Sequence, residues 1–346
     1  MISSVLAIDW SNYWQQSIFR VLGAAVFVIL GAGTFVIAFL FKMMSYMQSR
    51  LGPMEAGPHG TLQLLAEVGK WLQKEDLIPS RADRTLFKLA PYIVMASTFL
   101  VVVVMPFGPD AYFINVDTGI YLALALASLS VIGIIVAGWA SASKYSLLGA
   151  LRAAGQLIAY ELPMVLAVVG VVIQAGTLNL QGIVAAQHQG EIFGWGGIGN
   201  PFILTQLVGF VVFLIATQAE LAQPPFDMPV AESELVTGYM TEYSGMRFLL
   251  FFIAEFASAA VFAALAATLF LGGWAIPGVD LDDNVMNVVG PLVLFVKMML
   301  VGALIFWARF TFPRFREDQL QAFAWKALIP LALVNILATM VLKVAF

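Results

Sequence analysis

The composition of this 346-residue chain is that of a membrane protein, because 61% of its residues are hydrophobic and only 11% are charged. Soluble domains carry about 25% charged residues and about 45–50% apolar ones. A net charge of −4 argues against a nucleic-acid binder or a polybasic surface protein. The chain has no cysteine and two histidines, so a cysteine-ligated iron–sulfur cluster is excluded and we expect no metal-bound or covalent cofactor.

Eight apolar runs are long enough for transmembrane helices, which need about 20 residues to cross a bilayer. The runs are continuously apolar, which favours helices over membrane strands, whose residues alternate. We therefore predict an all-α integral membrane protein of about eight transmembrane helices in a single membrane domain, residues 1–346. The predicted spans lie near 21–41, 89–107, 120–142, 157–175, 201–219, 248–275, 288–307 and 327–342.

The distribution of basic residues predicts the orientation of the chain. Of the 17 lysine and arginine residues, 14 fall in the loops after spans one, three, five and seven; the exceptions are Arg20, Lys297 and Lys343. The loops after spans two, four and six contain none. Because basic loops stay in the cytoplasm, this alternation predicts an N-terminus on the outside of the membrane.

The first basic loop contains an amphipathic segment at residues 61–74. Its polar residues recur at helical spacing, and its leucines fall on another face: Gln63, Glu67, Lys70 and Lys74 against Leu62, Leu65 and Leu72. This pattern predicts a helix lying on the membrane surface or against a partner. A solvated connecting helix is the alternative.

Four ionisable residues fall inside or at the ends of predicted spans, namely Glu161, Glu220, Glu255 and Lys297. Each costs at least about 2.5–3.5 kcal/mol at mid-membrane, so such residues usually face a bundle interior or a watery cavity. Buried carboxylates can take up and release protons. The alternative is that these groups pair with one another or lie near the membrane interface.

The loop from Glu220 to Arg247 is acidic, although basic loops are the rule on this side. Aromatic and apolar residues run through it, which argues against a floppy acidic tail. We therefore predict a folded, carboxylate-lined loop that delivers protons or docks a basic partner. A simple solvated loop is the alternative.

Three long motifs give the chain a family resemblance. They read QSRLGPMEAGPHGTLQLLAEVGKWLQKED at 48–76, GWASASKYSLLGALRAAGQLIAYEL at 138–162 and PPFDMPVAESELVTGYMTEYSGMRFLLFFIAEF at 224–256. Together with WARFTFPRFREDQL at 307–320, they resemble the NuoH-type subunit of respiratory complex I, a proton-translocating NADH:quinone oxidoreductase. The resemblance runs from about residue 20 to the C-terminus.

The resemblance implies a subunit that forms much of a quinone-access tunnel and carries a buried carboxylate proton relay. The implied quinone-binding residues are Gln48, Arg50, Gly52, Pro53, Phe226 and Asp227. The implied relay residues are Glu161, Glu220, Glu232, Glu234, Glu242 and Glu255. Quinone is then a substrate, flavin and iron–sulfur clusters belong to partner subunits of the peripheral arm, and the location is a prokaryotic cytoplasmic (inner) membrane.

Three positions depart from the family pattern. The family usually ends its first span with Glu-Arg-Lys or Glu-Arg-Arg, where this chain has Leu40, Phe41 and Lys42. It usually has a glutamate in the third span and an arginine before the Pro-Phe-Asp motif, where this chain has Ser128 and Gln223. Either water and other residues replace the missing charged groups, or quinone reduction is coupled to proton movement in a different way in this chain.

Two other functions fit parts of the pattern. One is the membrane subunit of a hydrogenase-type complex that uses no quinone. For the quinone-linked complex itself, ferredoxin is an alternative electron donor to NADH. The other is a stand-alone secondary transporter, although no internal repeat is visible.

Overall fold

The computed structural model describes residues 13–190, 199–279 and 282–345. Its α-helices are α1 (Tyr13–Phe35), α2 (Met44–Met47), α3 (Gln63–Gln73), α4 (Arg84–Val104), α5 (Gly119–Ala140), α6 (Lys144–Ala175), α7 (Leu180–Gln189), α8 (Phe202–Thr205), α9 (Leu207–Glu220), α10 (Glu232–Leu235), α11 (Gly245–Phe270), α12 (Asp283–Thr311), α13 (Glu317–Phe323) and α14 (Ile329–Ala345). Within these ranges the β pairing is one isolated bridge, between Pro106 and Tyr112. The predicted all-α class is confirmed.

Seven helical stretches of the described chain are long and apolar enough to cross a membrane. They are Ser17–Met47, Arg84–Val104, Gly119–Ala140, Lys144–Ala175, Gly245–Phe270, Asp283–Thr311 and Glu317–Val344. The first joins α1 to α2 through a π-helical segment, Val36–Met43, and the last joins α13 to α14 through another, Ala324–Leu328. Each of the seven coincides with a predicted span, and the last is considerably longer than predicted.

The fifth predicted span does not form one long helix. The backbone leaves the helical conformation at Gln206, which separates α8 from the 14-residue α9. At about 1.5 Å per residue, α9 is only about 21 Å long, shorter than the roughly 30 Å hydrocarbon core. The Gln206 side chain accepts a hydrogen bond from Asn335 at 2.8 Å and donates one to Thr339 at 2.6 Å, which ties the break to α14.

Helix α11 forms the centre of the bundle. Every residue from Ala259 to Phe270 is buried, as expected for a helix that is apolar on all sides. It packs against α1, α4 and α12, and its many alanines allow close helix approach. By contrast, α12 exposes a column of large apolar residues at every fourth position, which is the pattern of a lipid-facing surface: Val288, Leu292, Val296, Leu300 and Leu304.

Contacts between helix ends separate the loops into two faces. We call one the basic-loop face, made of residues 48–83, 141–143, 221–244 and 312–316. There the Asp83 amide donates to the Ala140 carbonyl at 3.1 Å, and Arg247 pairs with Asp76 at 2.9 Å. At the opposite end, the Asp110 amide donates to the Asn287 side chain at 2.9 Å. This arrangement agrees with the predicted alternation of loops, and the side on which each face lies remains a prediction.

The predicted amphipathic helix is confirmed as α3. The Trp71 ring stacks on Phe248 of α11 with centroids 4.5 Å apart, and the Lys74 ammonium lies 3.9 Å from the Trp71 ring centroid. Leu65 and Leu72 are 67% and 60% exposed. The leucine face of α3 is therefore uncovered in the single chain, as a membrane surface or a partner would require.

Candidate functional site

The predicted tunnel residues of the first loop form a turn that is held against the end of the first span. The Lys42 ammonium donates to the Pro53 carbonyl at 2.7 Å, and the Arg50 amide donates to the Ser45 carbonyl at 2.9 Å. Gly52 has a φ of +71°, and a Cβ there would lie 2.7 Å from the Phe41 carbonyl oxygen. Only glycine fits this close approach without strain.

The exposed side chains of this turn bond to each other. The Arg50 guanidinium donates to the Gln48 side-chain oxygen at 2.8 Å. Within the described residues, no hydrogen bond or ion pair joins the turn to Phe226 or Asp227. The structure thus divides the six predicted quinone-binding residues into two groups on the same face.

The second group lies in the folded loop 221–244, around the cis peptide bond of Pro224 and Pro225. Phe226 is buried, and its ring packs against Tyr160 of α6 and Phe315, with centroids 5.1 and 5.5 Å away. The buried amide of Gln156 donates to the Phe226 carbonyl at 2.7 Å and to the Ala219 carbonyl at 2.6 Å. The predicted folded loop is confirmed, whereas its Gln156 anchor was not anticipated from the sequence.

A charged cluster follows Phe226 directly. The Arg309 guanidinium lies 3.3 Å from the Glu255 carboxylate, which also accepts a hydrogen bond from Gln223 at 3.4 Å. Burial raises the pKa of Asp227 to about 6, against the opposing charge of Arg314. The Glu255 carboxylate adds to this rise. The cluster therefore contains a carboxyl group that can exchange a proton near neutral pH.

An apolar cavity of about 250 Å³ borders the same loop. Gln218 supplies the one polar side chain among its lining residues: Leu214, Ile215, Gln218, Pro225, Phe226, Leu304, Ile305, Ala308, Phe312, Phe315 and Phe323. Leu304 and Phe312 are also exposed on the outer surface of the chain. The cavity thus connects an apolar flank of the bundle to Phe226, next to the Asp227 cluster.

A second, polar cavity of about 810 Å³ shares Phe315 with the apolar one. Arg152 and Glu234 lie 2.6 Å apart at its edge, and Arg314 lies 3.4 Å from the same Glu234 side chain. The hydrogen bond from Arg152 and the charge of Arg314 lower the pKa of Glu234. Glu234 is thus an exposed ion-pair residue, apart from the buried carboxylates.

The carboxylates of the predicted spans form a pair deeper in the bundle. Glu161 is half-buried on α6 and borders a lipid-facing strip formed by Ile158 and Leu162. It lies close enough to Glu220 for the two charges to act on each other, and within hydrogen-bond reach of Ser128 on α5. The Glu220 oxygen Oε2 is buried and has no hydrogen-bond partner in the described part of the chain.

The other predicted relay residues lie in loop 221–244. Glu242 is half-buried in a turn, and Glu232 begins α10, with its side chain outside what the structure describes. No group of three or more His, Asp or Glu in the described ranges is arranged to hold a metal ion.

Comparison with known proteins gives the family. The model of the NADH dehydrogenase family matches residues 19–340. The chain is 44% identical to the H subunit of the NADH-quinone oxidoreductase of Brevibacillus brevis, over 95% of this chain and 94% of the relative. It is 44% identical to the protein of the same name from Bacillus cytotoxicus, over 98% and 97%, and 46% identical to that from Bacillus cereus, over 88% and 87%. The chain therefore belongs to the NADH dehydrogenase family, as its motifs implied.

Proposed function

We propose that this chain is the quinone-site and proton-relay subunit of a complex-I-type NAD(P)H:quinone or ferredoxin:quinone oxidoreductase. The chain lacks cysteine, so the electrons come from iron–sulfur clusters and flavin in partner subunits. The basic-loop face meets those partners on the cytoplasmic side, and the N-terminus lies outside. The names of the relatives, which describe one component of a larger oxidoreductase, support this assignment.

One observation carries the proposal: Phe226 lines the apolar cavity, and the next residue in the chain, Asp227, belongs to the charged cluster. A quinone needs an apolar passage for its tail and a few polar groups at its head. The cavity wall supplies the first, and Asp227 and Arg309 supply the second. Reduction of a quinone to a quinol consumes two electrons and two protons, and a carboxyl group with a pKa of about 6 can supply protons near neutral pH.

The buried carboxylates form the proposed proton relay. Asp227 and Glu255 act on each other electrostatically, as do Glu220 and Glu161. Gln223 donates a hydrogen bond to Glu255 and lies three residues after Glu220 in the chain. Because an amide does not carry protons at neutral pH, protons pass between the two pairs through water beside Gln223. Glu161 opens onto the flank of α6 where a neighbouring membrane subunit docks.

The proposal is tested by Glu220→Gln in the assembled complex, with Asp117→Asn on the opposite face as the matched control. An amide cannot release a proton at neutral pH, so Glu220→Gln should lower both quinone reduction and proton pumping by at least about a hundredfold. The measurement is quinone reductase activity together with proton uptake in reconstituted vesicles. Unchanged values of both would remove Glu220 from the relay.

A photoreactive quinone analogue tests the passage separately. It should label residues of the apolar cavity, and an excess of unlabelled quinone should prevent the labelling. A native complex that holds no quinone, and that shows no such labelling, would favour the hydrogenase-type alternative.

A further inference from the structure

The apolar cavity beside Phe226 contains one polar side chain, that of Gln218 near the end of α9. This side chain is buried, with only 4% of its surface exposed. Ligand pockets are mostly apolar, and the few polar groups that line them fix the orientation and the identity of the ligand. The hydrogen bonds that Gln218 can still form therefore decide which head group the cavity accepts.

The amide nitrogen of Gln218 is already used, because it donates to the Pro224 carbonyl at 2.6 Å. The orientation of the amide follows from the loop. A carbonyl only accepts hydrogen bonds, and proline has no N–H to donate. Pro224 and Pro225 are consecutive, so the nitrogen of Gln218 faces this part of the loop and the oxygen Oε1 finds no donor there.

The oxygen Oε1 of Gln218 forms no hydrogen bond to any residue in the described ranges. The next backbone N–H after the two prolines, that of Phe226, donates to the Gln223 carbonyl at 2.8 Å. An acceptor that faces an apolar cavity without a partner is unfavourable. The cavity therefore favours a ligand that brings a hydrogen-bond donor.

We propose that Gln218 makes the cavity selective for the quinol, the product of the proposed reaction, over the quinone. The inference rests on the proposed function and adds a specificity-determining residue to it. A quinone head group carries carbonyl oxygens, which only accept hydrogen bonds, whereas a quinol carries hydroxyl groups, which also donate. The quinol forms a hydrogen bond to Oε1 of Gln218, and the quinone places one acceptor against another.

The size and the position of the cavity fit this role. Pockets for drug-sized ligands have volumes of about 300–1,000 Å³, so a cavity of about 250 Å³ suits a single substituted ring. Phe226 forms part of the wall, and Leu304 and Phe312 are also exposed on the outer surface. A quinol that leaves the Asp227 cluster for the lipid then brings its head group past Gln218.

The test compares two ligands that differ in their hydrogen-bond donors. The monomethyl ether of a short-tailed quinol keeps one hydroxyl group, and the dimethyl ether of the same quinol has none. Both ethers are used as inhibitors of quinone reduction by the assembled complex. The monomethyl ether should inhibit the wild-type complex about five- to tenfold more strongly, which is the effect of one neutral hydrogen bond.

Two variants assign this preference to Gln218. Gln218→Met removes the amide at a similar side-chain length, and it should bring inhibition by the two ethers to within about twofold of each other. Gln189→Met, the same substitution at an exposed position of α7, should keep the wild-type preference. The KM for quinone should change less than about twofold in Gln218→Met, whereas a purely structural role in holding Pro224 would change KM and kcat together.

The outcomes separate this inference from the function on which it rests. Equal inhibition of the wild-type complex by the two ethers overturns the inference, whether or not Gln218→Met assembles. A preference for the monomethyl ether that survives in Gln218→Met overturns it as well. A complex that reduces no quinone and is inhibited by neither ether overturns the proposed function itself.

Discussion

Two carboxylates of one loop, Asp227 and Glu234, have opposite properties because their surroundings differ. Burial raises the pKa of Asp227 to about 6, whereas the Arg152 hydrogen bond lowers the pKa of exposed Glu234. Both belong to an acidic motif that the sequence identifies as a unit. The motif therefore predicts a functional loop but does not predict which of its acids exchanges protons.

The difference gives a spectroscopic prediction for Asp227→Asn. A carboxyl group whose pKa is raised to about 6 is protonated below that pH and loses its proton above it. On raising the pH from about 5 to about 7, the complex should lose a protonated-carboxyl C=O infrared band, and Asp227→Asn should lack this band. Glu234→Gln is the control, because a carboxylate with a lowered pKa stays ionised over this range. A band that persists in Asp227→Asn would contradict the assignment.

The sequence does not predict which charged residues pair when they lie far apart in the chain. The sequence predicts that Glu255 faces a bundle interior or a watery cavity, with pairing to another of the four ionisable residues as the alternative. Its partners in the structure are Arg309 and Gln223. Arg309 lies one helix further along the chain, so the pair depends on how α11 and α12 are rotated against each other. Hydropathy places both helices in the membrane, but it does not fix that rotation.

At the scale of the helix, the sequence predicts the long spans well. A continuous apolar run in lipid must satisfy its backbone hydrogen bonds within itself, and a helix does so. The prediction fails at the fifth span, where the polar contacts of Gln206 with Asn335 and Thr339 replace helix continuity. Those partners lie at the far end of the chain. A break that depends on a distant helix leaves no local signal.

Lys297 of α12 also joins two parts of the chain, because its side chain bonds to backbone carbonyls that follow α11. Its ammonium group donates to the carbonyls of Leu271, Gly273 and Ala275, at 2.6, 2.9 and 2.7 Å. Leu271 caps the C-terminus of α11, where carbonyls lack partners within the helix and cations are favourable. Gly273 and Ala275 lie in the turn that follows, so Lys297 stabilises this turn together with the end of α11.

We expect Lys297→Met to lower the free energy of unfolding by at least about 2 kcal/mol, since hydrogen bonds to charged groups contribute about 1.5–3 kcal/mol each. Thermal unfolding of the purified complex in detergent, followed through proteolysis of this subunit, measures the change. Lys326→Met removes an exposed lysine and serves as the control. Equal melting temperatures for the two variants would show that the carbonyl contacts of Lys297 contribute nothing.

For the whole molecule, the two faces predict an orientation that can be measured directly. The chain has no cysteine, so one introduced cysteine reports one position. Ser80 and Thr118 are exposed on the basic-loop face and the opposite face respectively. In intact cells, a maleimide that cannot cross membranes should label Thr118→Cys but not Ser80→Cys, because basic loops are expected to stay in the cytoplasm. The reverse labelling would invert the topology.

The half-buried position of Glu161 has a consequence for the abundance of the protein in the cell. In a solitary copy, its carboxyl group borders hydrocarbon beside Ile158 and Leu162, at a cost of about 2.5–3.5 kcal/mol. A neighbouring polar helix removes that cost. Copies made in excess of their neighbours would carry a partly exposed acid on one flank, and this cost would make them less stable in the membrane. The abundance of the protein would then follow the supply of its neighbours, whatever its own rate of synthesis.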